Sequence, residues 1–134
     1  MSSIFTKIIK REIPANIIYE DEFTIAFLDI SQITRGHTLV VPKKECQSLF
    51  DIDDFTYLKL METLKKVVDN VKLRLKISGV NILSNNGVIA GQTVPHLHFH
   101  VIPRYTHNEF SINRGEIKTL DKTQLEVLCR LLRF

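Results

Sequence analysis

The sequence predicts one domain that mixes helices and strands, and three observations lead there. The chain has 134 residues, the length of a single domain with enough material for a real core. Apolar residues recur at helical spacing in three stretches, around 4–13, 53–76 and 123–132. Between them lie several short apolar runs bounded by turn residues, one of which alternates histidine with apolar side chains. The composition, 44% apolar and 25% charged, is that of an ordinary globular protein. A net charge of +3 is a mild bias toward small anions, and with no basic run it gives no reason to expect nucleic acid as a partner. Cys46 and Cys129 form no motif, and no stretch has the length and apolarity of a signal segment or membrane span, so a cytoplasmic location is expected.

The first helix is predicted over 4–13, from Ile4, Phe5, Ile8, Ile9 and Ile13, with Pro14 ending it because the residue before proline disfavours the α region. Ile17 to Tyr19 and Thr24 to Leu28 read as a hairpin around the acidic turn Glu20-Asp21-Glu22. Asp29 follows, where a carboxylate can bind a pair of sugar hydroxyls or simply cap a turn. Thr38 to Val41 is the next strand, entered through Arg35-Gly36 and closed by Pro42, and His37 at its start has by itself a structural reading. The stripe Tyr57, Leu58, Met61, Leu64, Val67, Val68, Val71 and Leu75 predicts a long core-facing helix, capped by Asp51 or Asp53 and stopped by Gly79. Val80 to Leu83 is a strand running into the turn Ser84-Asn85-Asn86-Gly87. Beyond a polar stretch, Leu125, Val127, Leu128, Leu131 and Leu132 predict a short terminal helix packed on the body or on a partner.

The stretch GQTVPHLHFHVIPR, residues 91–104, is where chemistry concentrates. His96, His98 and His100 alternate with Leu97, Phe99 and Val101, so in a strand the histidines share one face and the apolar residues the other. Same-face residues stand roughly 6.6 Å apart, whereas zinc needs its nitrogens at about 2.0–2.1 Å, so three neighbours would have to converge strongly. A phosphorus centre in front of His98, with a histidine on either side, fits the spacing without convergence. Phosphoryl chemistry, a metal and a structural histidine ladder all stay open on this pattern. Gly91 lets backbone N–H groups approach an anion, and Gln92 and Thr93 add neutral polar groups.

HLHFHVI resembles the His-φ-His-φ-His-φ-φ pattern of the histidine triad (HIT) superfamily. The blocks IFTKIIKREIPANIIYEDE, FLDISQITRGHTLVVPKK and SNNG follow in the family's order, and the opening block resembles the Hint branch of purine-nucleotide-binding phosphoramidases. The resemblance covers residues 4 to about 104. It implies an α+β fold with a central antiparallel sheet of about five strands, a single HIT domain over 1–134 with a divergent extension from about 105, and a sheet continued across a homodimer. It implies hydrolysis of purine nucleoside phosphoramidates through a covalent nucleotidyl-histidine. By motif position His98 is similar to the nucleophile, His100 to the residue beside the phosphate and leaving group, His96 to the first triad member and His37 to a fourth, orienting histidine. Asp29 matches the ribose-binding carboxylate, with Phe27, Ile30, Ile8 and Ile13 at base-pocket positions. Asn85, Gly91 and Thr93 match phosphate-side contacts, with Gln92 in the same motif.

One departure bears on cofactors. Some Hint relatives hold a structural zinc through a Cys-x-x-Cys, a later histidine and the first triad histidine, but here the first three positions are Ser3, Thr6 and Glu45. The expectation is a protein without cofactor or metal. Two further functions stay open, a dinucleoside polyphosphate (Ap3A/Ap4A-type) hydrolase and a nucleotide-binding regulatory protein.

Overall fold

Short connections favour antiparallel pairing, and that is how the strands assemble. The computed structural model describes residues 3–134. Its strands are β1 (Ile17–Glu20), β2 (Thr24–Leu28), β3 (Thr38–Pro42), β4 (Gly79–Leu83) and β5 (Phe99–Arg104), in the order β1-β2-β3-β5-β4. All neighbours are antiparallel, so the predicted α+β architecture with a five-stranded antiparallel sheet is what forms. The β1–β2 turn is held by Asp21, whose Oδ1 accepts from the backbone N–H of Phe23 and Thr24, each at 2.8 Å. β5 lies between β3 and β4, which places His100 in the interior of the sheet rather than at an edge.

The long helix α2 (Asp54–Leu75) packs on one sheet face. Asp53 is its cap, accepting from Thr56 N–H at 2.8 Å, while Asp51 instead holds the preceding turn through Gln47 and Ser48. The helix stops at Lys76 in the left-handed conformation, not at Gly79, which opens β4. Stopping there lets Ile77 turn into the core, where it is buried. The buried stripe is Thr56, Leu60, Thr63, Val67 and Val71, whereas the expected Tyr57 and Leu58 are exposed. Thr63 belongs inside because its hydroxyl meets that of Thr24 at 2.6 Å, a polar pair invisible to a count of apolar residues.

On the opposite face sits α1 (Ile4–Ile9), with Phe5 and Ile8 packed against Ile25, Phe27, Leu39 and Val41. It is shorter than predicted. Arg11 takes the left-handed conformation, Arg11 N–H donates to Ile8 at 3.0 Å and Glu12 N–H to Lys7 at 2.8 Å, which closes the helix before Pro14 is reached. The terminal helix α3 (Lys122–Leu132) has a capping box from Asp121 and Gln124. Every residue from 111 to 134 is exposed, so the predicted helix forms but does not pack on the body. Among the described residues no helix is long and apolar enough to cross a membrane.

Gly36 links the loop after β2 to β3 and is a place where a side chain would not fit. Its φ is +94°, and a Cβ there would meet Leu75 Cδ1 at 2.5 Å and Pro103 Cγ at 3.3 Å. Gly36→Ala should destabilise the protein by about 1–3 kcal/mol. A lower urea midpoint with unchanged slope is the expected result; an unchanged midpoint would contradict the strain argument.

Candidate active site

The period-two alternation holds through the histidine stretch: Leu97 and Val101 enter the core under α2, while His96 and His98 turn toward Phe5 of α1. Regular strand begins only at Phe99, later than expected. Pro95 has no N–H to give, and Leu97 N–H donates to Cys46 at 2.8 Å instead of to a neighbouring strand. His96 and His98 are nearly inaccessible, and Phe5 sets its ring edge-on to both, with centroids 6.0 and 5.0 Å away.

Hydrogen-bond partners determine which nitrogen of each ring holds the proton. His98 Nδ1 lies 2.8 Å from the carbonyl of His96, which can only accept, so Nδ1–H donates and Nε2 keeps its lone pair. His96 Nε2–H donates to the Pro42 carbonyl at 2.8 Å, leaving Nδ1 to accept from the Ser3 hydroxyl at 3.2 Å. Burial holds both rings below the ordinary imidazole pKa. His100 is pushed down to about 4, first by burial and then by the neighbouring His98 and His37. All three are therefore neutral at pH 7 in the free protein.

His37 is buried, and its Nε2 faces His100 Nδ1 at 2.9 Å. Its Nδ1 meets two opposite partners, the Ser31 carbonyl at 3.1 Å and the Ile33 N–H at 3.3 Å. The carbonyl favours a protonated Nδ1 and the N–H a bare one, so the proton between His37 and His100 can belong to either ring. The Oδ1 of Asp29 accepts from Ser31 N–H at 2.8 Å, which is the turn-capping role, while Oδ2 stands 3.7 Å from His37 Nε2 at the end of a cleft. The sequence reading missed Gln32, whose carboxamide bonds the backbone of Asp29, Gly36 and His37. A lone polar residue inside an exposed loop gives no pattern to find it by.

The cleft has a volume of about 420 Å³, within the range of small-molecule sites. Ile8, Ile13, Phe27, Asp29 and Ile30 all line it, together with Phe5, Asn16 and Leu39 among others. Ile30 stands at the lip, fully exposed. The loop holding Asn85, Gly91 and Thr93 is not part of this wall. Asn85 Nδ2 reaches the Gly91 carbonyl at 3.4 Å, and Gly91 has a φ of +92°. Gln92 is buried, with its carboxamide committed to Gly87 N–H and to the carbonyls of Gln47 and Val94, so its side chain shapes the loop rather than facing a ligand.

Two places bear on a metal. The ligand atoms of Asp29, His37 and His100 lie within 4.8 Å of one another, but the two ring nitrogens face each other at hydrogen-bond distance. At the position where some Hint relatives hold zinc, Thr6 Oγ1–H donates to Glu45 at 2.8 Å and Ser3 bonds His96. Two hydroxyls, a hydrogen-bonded carboxylate and an imidazole with both nitrogens engaged do not fit a structural zinc.

A model of the HIT domain matches residues 10–107. An uncharacterized HIT-like protein of Methanocaldococcus jannaschii is 47% identical over 118 residues, 88% of this chain and 91% of that one. The adenosine 5′-monophosphoramidase of Schizosaccharomyces pombe is 36% identical over 115 residues, 86% of this chain and 83% of its own. Among solved structures, a HIT family member from Bacillus subtilis superposes with a TM-score of 0.86 at 35% identity, covering 100% of this chain and 98% of its own. The histidine triad nucleotide-binding protein of Candida albicans superposes with a TM-score of 0.86 at 36% identity, covering 98% and 95% respectively. With its buried row of histidines and a family match that spans most of its length, the chain belongs to the HIT domain family.

Proposed function

We propose that this protein hydrolyses purine nucleoside phosphoramidates through a covalent nucleotidyl-His98, without a metal. The observation that carries the reading is the 2.8 Å bond from His98 Nδ1–H to the His96 carbonyl, which leaves the Nε2 lone pair free. That nitrogen belongs to a ring 5.0 Å from the His100 ring, and Phe5, in edge contact with His98, also lines the cleft that ends at Asp29. Similarity to the phosphoramidase of Schizosaccharomyces pombe supports the amine as leaving group.

The steps follow from proton positions. An anionic phosphoramidate bound beside His100 adds the opposite charge that the empty site lacks, which favours imidazolium there. His98 Nε2 attacks phosphorus, the P–N bond breaks, and the His100 proton goes to the departing amine. Water then attacks the nucleotidyl-His98, its proton passes to His100, and the P–Nε2 bond breaks to release the nucleotide. His37 backs His100 through both half-reactions, because its Nδ1 has a partner for either tautomer. Asp29 binds the ribose hydroxyls, and the apolar cleft takes the base.

The same reading includes a homodimer and a cytoplasmic location. The outer edge of β4, with neither a charge nor a proline in GVNIL, supports a paired edge, since monomeric proteins protect such strands.

Turnover of an adenosine phosphoramidate with a fluorescent amine should continue in chelator and fall at least about a thousandfold in His98→Ala, the scale of losing a nucleophile. Faster turnover of a dinucleoside polyphosphate would replace the amine by a nucleotide as leaving group. Full complementation of a deletion strain by His98→Ala would favour a regulatory role.

Elemental analysis of the purified protein should find less than stoichiometric zinc, and one zinc per chain would overturn the metal-free reading. The pH profile follows from His98. Its pKa is held below the ordinary 6.5, so the neutral nucleophile persists as pH drops past that value and is lost only below it. The acid limb of kcat/KM should therefore lie under pH 6.5, and a limb centred above it would contradict the burial argument.

A further inference from the structure

The loop from Asp29 to His37 must hold a carboxylate at the end of the cleft and an imidazole under His100, although Ser31, Gln32, Ile33 and Arg35 are exposed. One side chain spans it. Gln32 Nε2 donates to the carbonyl of Asp29 at 2.6 Å and to that of His37 at 2.8 Å. Its Oε1 accepts from Gly36 N–H at 2.7 Å and from His37 N–H at 3.1 Å. A carboxamide has two donor hydrogens and two acceptor lone pairs, and all four are directed at this one loop.

We propose that Gln32 is a positioning residue: its carboxamide fixes Asp29 and His37 relative to each other, and through His37 it holds the 2.9 Å hydrogen bond to His100 Nδ1 in place. No charged or shorter side chain can replace it. Glutamate has the shape but no hydrogens to donate, and would set its lone pairs against two carbonyl oxygens. Asparagine has both groups but is one methylene too short. The role is separable from folding, because Gln32 is exposed and the neighbouring strands keep their own bonds, among them Asp29 N–H to His37 at 3.0 Å and the Leu28–Thr38 pair of β2 and β3. The ring partners of His37 Nδ1, Ser31 and Ile33, flank Gln32, so loosening the loop removes both tautomer partners together.

The inference rests on the proposed reaction for its consequence in rate, but its structural content can be read without turnover. Gln32→Glu and Gln32→Ala are compared with wild type by kinetics on the adenosine phosphoramidate, by imidazole nitrogen NMR of the free protein across pH, and by thermal unfolding. In both variants kcat/KM should fall about 10- to 100-fold, the scale set by an ångström of misplacement. The His37 and His100 ring signals should shift, while those of His96, held by Pro42 and Ser3, stay in place. A kcat/KM within twofold of wild type, or His37 and His100 signals that superimpose on the wild type with only a lower Tm, would show Gln32 to be a loop stabiliser and nothing more. Should wild type itself fail to turn over phosphoramidates, the functional reading falls, and the NMR comparison still decides the role of Gln32.

Discussion

Imidazoles drawn out of water must find fixed partners for their ring nitrogens, and the arrangement around the histidine face follows from that requirement. His37, His96 and His98 are nearly inaccessible and His100 is half-buried, so in the free protein burial favours the neutral form of the three triad rings. A neutral ring has one N–H and one lone pair, and the backbone settles which is which. A carbonyl takes the Nδ1 proton of His98 and another takes the Nε2 proton of His96. The same constraint that makes the rings tolerable inside therefore leaves a bare nitrogen on His98.

Helix α1 completes this environment from the other side of the chain. Six residues make a helix too short to persist alone. Ser3 both caps it, accepting Thr6 N–H at 3.2 Å, and donates to His96, while Thr6 reaches Glu45 beyond the end of β3. The bonds that hold the helix against the sheet are thus the ones that orient the first histidine of the row. Phe5, carried on the same helix, both excludes water from the two buried rings and forms a wall of the cleft.

The loops that lead into β3 and toward the histidine stretch rely on carboxamides in place of regular structure. Gln32 closes the loop between β2 and β3, and Gln92 closes the loop before β5 by bonding Gly87, Gln47 and Val94. Each makes both donor and acceptor bonds to the backbone of its loop, which ties the loop together where no regular ladder runs. Arg104 does similar work at the end of β5, binding Asn81 and the carbonyls of Thr106, His107 and Phe110, and the chain past Phe110 is exposed throughout.

By itself the sequence determined the two faces of the histidine stretch, because side chains alternate along an extended chain whether or not a ladder has formed. It likewise determined most strand segments and the long helix, which depend on local spacing and apolar character, whereas the residues lining the cleft were reached through the resemblance to the histidine triad family. Helix ends were less legible: Arg11 and Lys76 take left-handed conformations that glycine would have signalled and these residues do not. The buried Thr24–Thr63 pair and the exposed apolar face of α3 were hidden for the matching reason, that polarity alone does not say what stands opposite a side chain. Only the tertiary structure decided which nitrogen of each histidine is bare, that Asp29 faces His37, and that Gln32 and Gln92 point inward at the backbone. Those outcomes depend on partners such as Pro42 and Ser3, far from the triad in sequence, and a hydrogen bond is set by where two groups meet, not by where they lie along the chain.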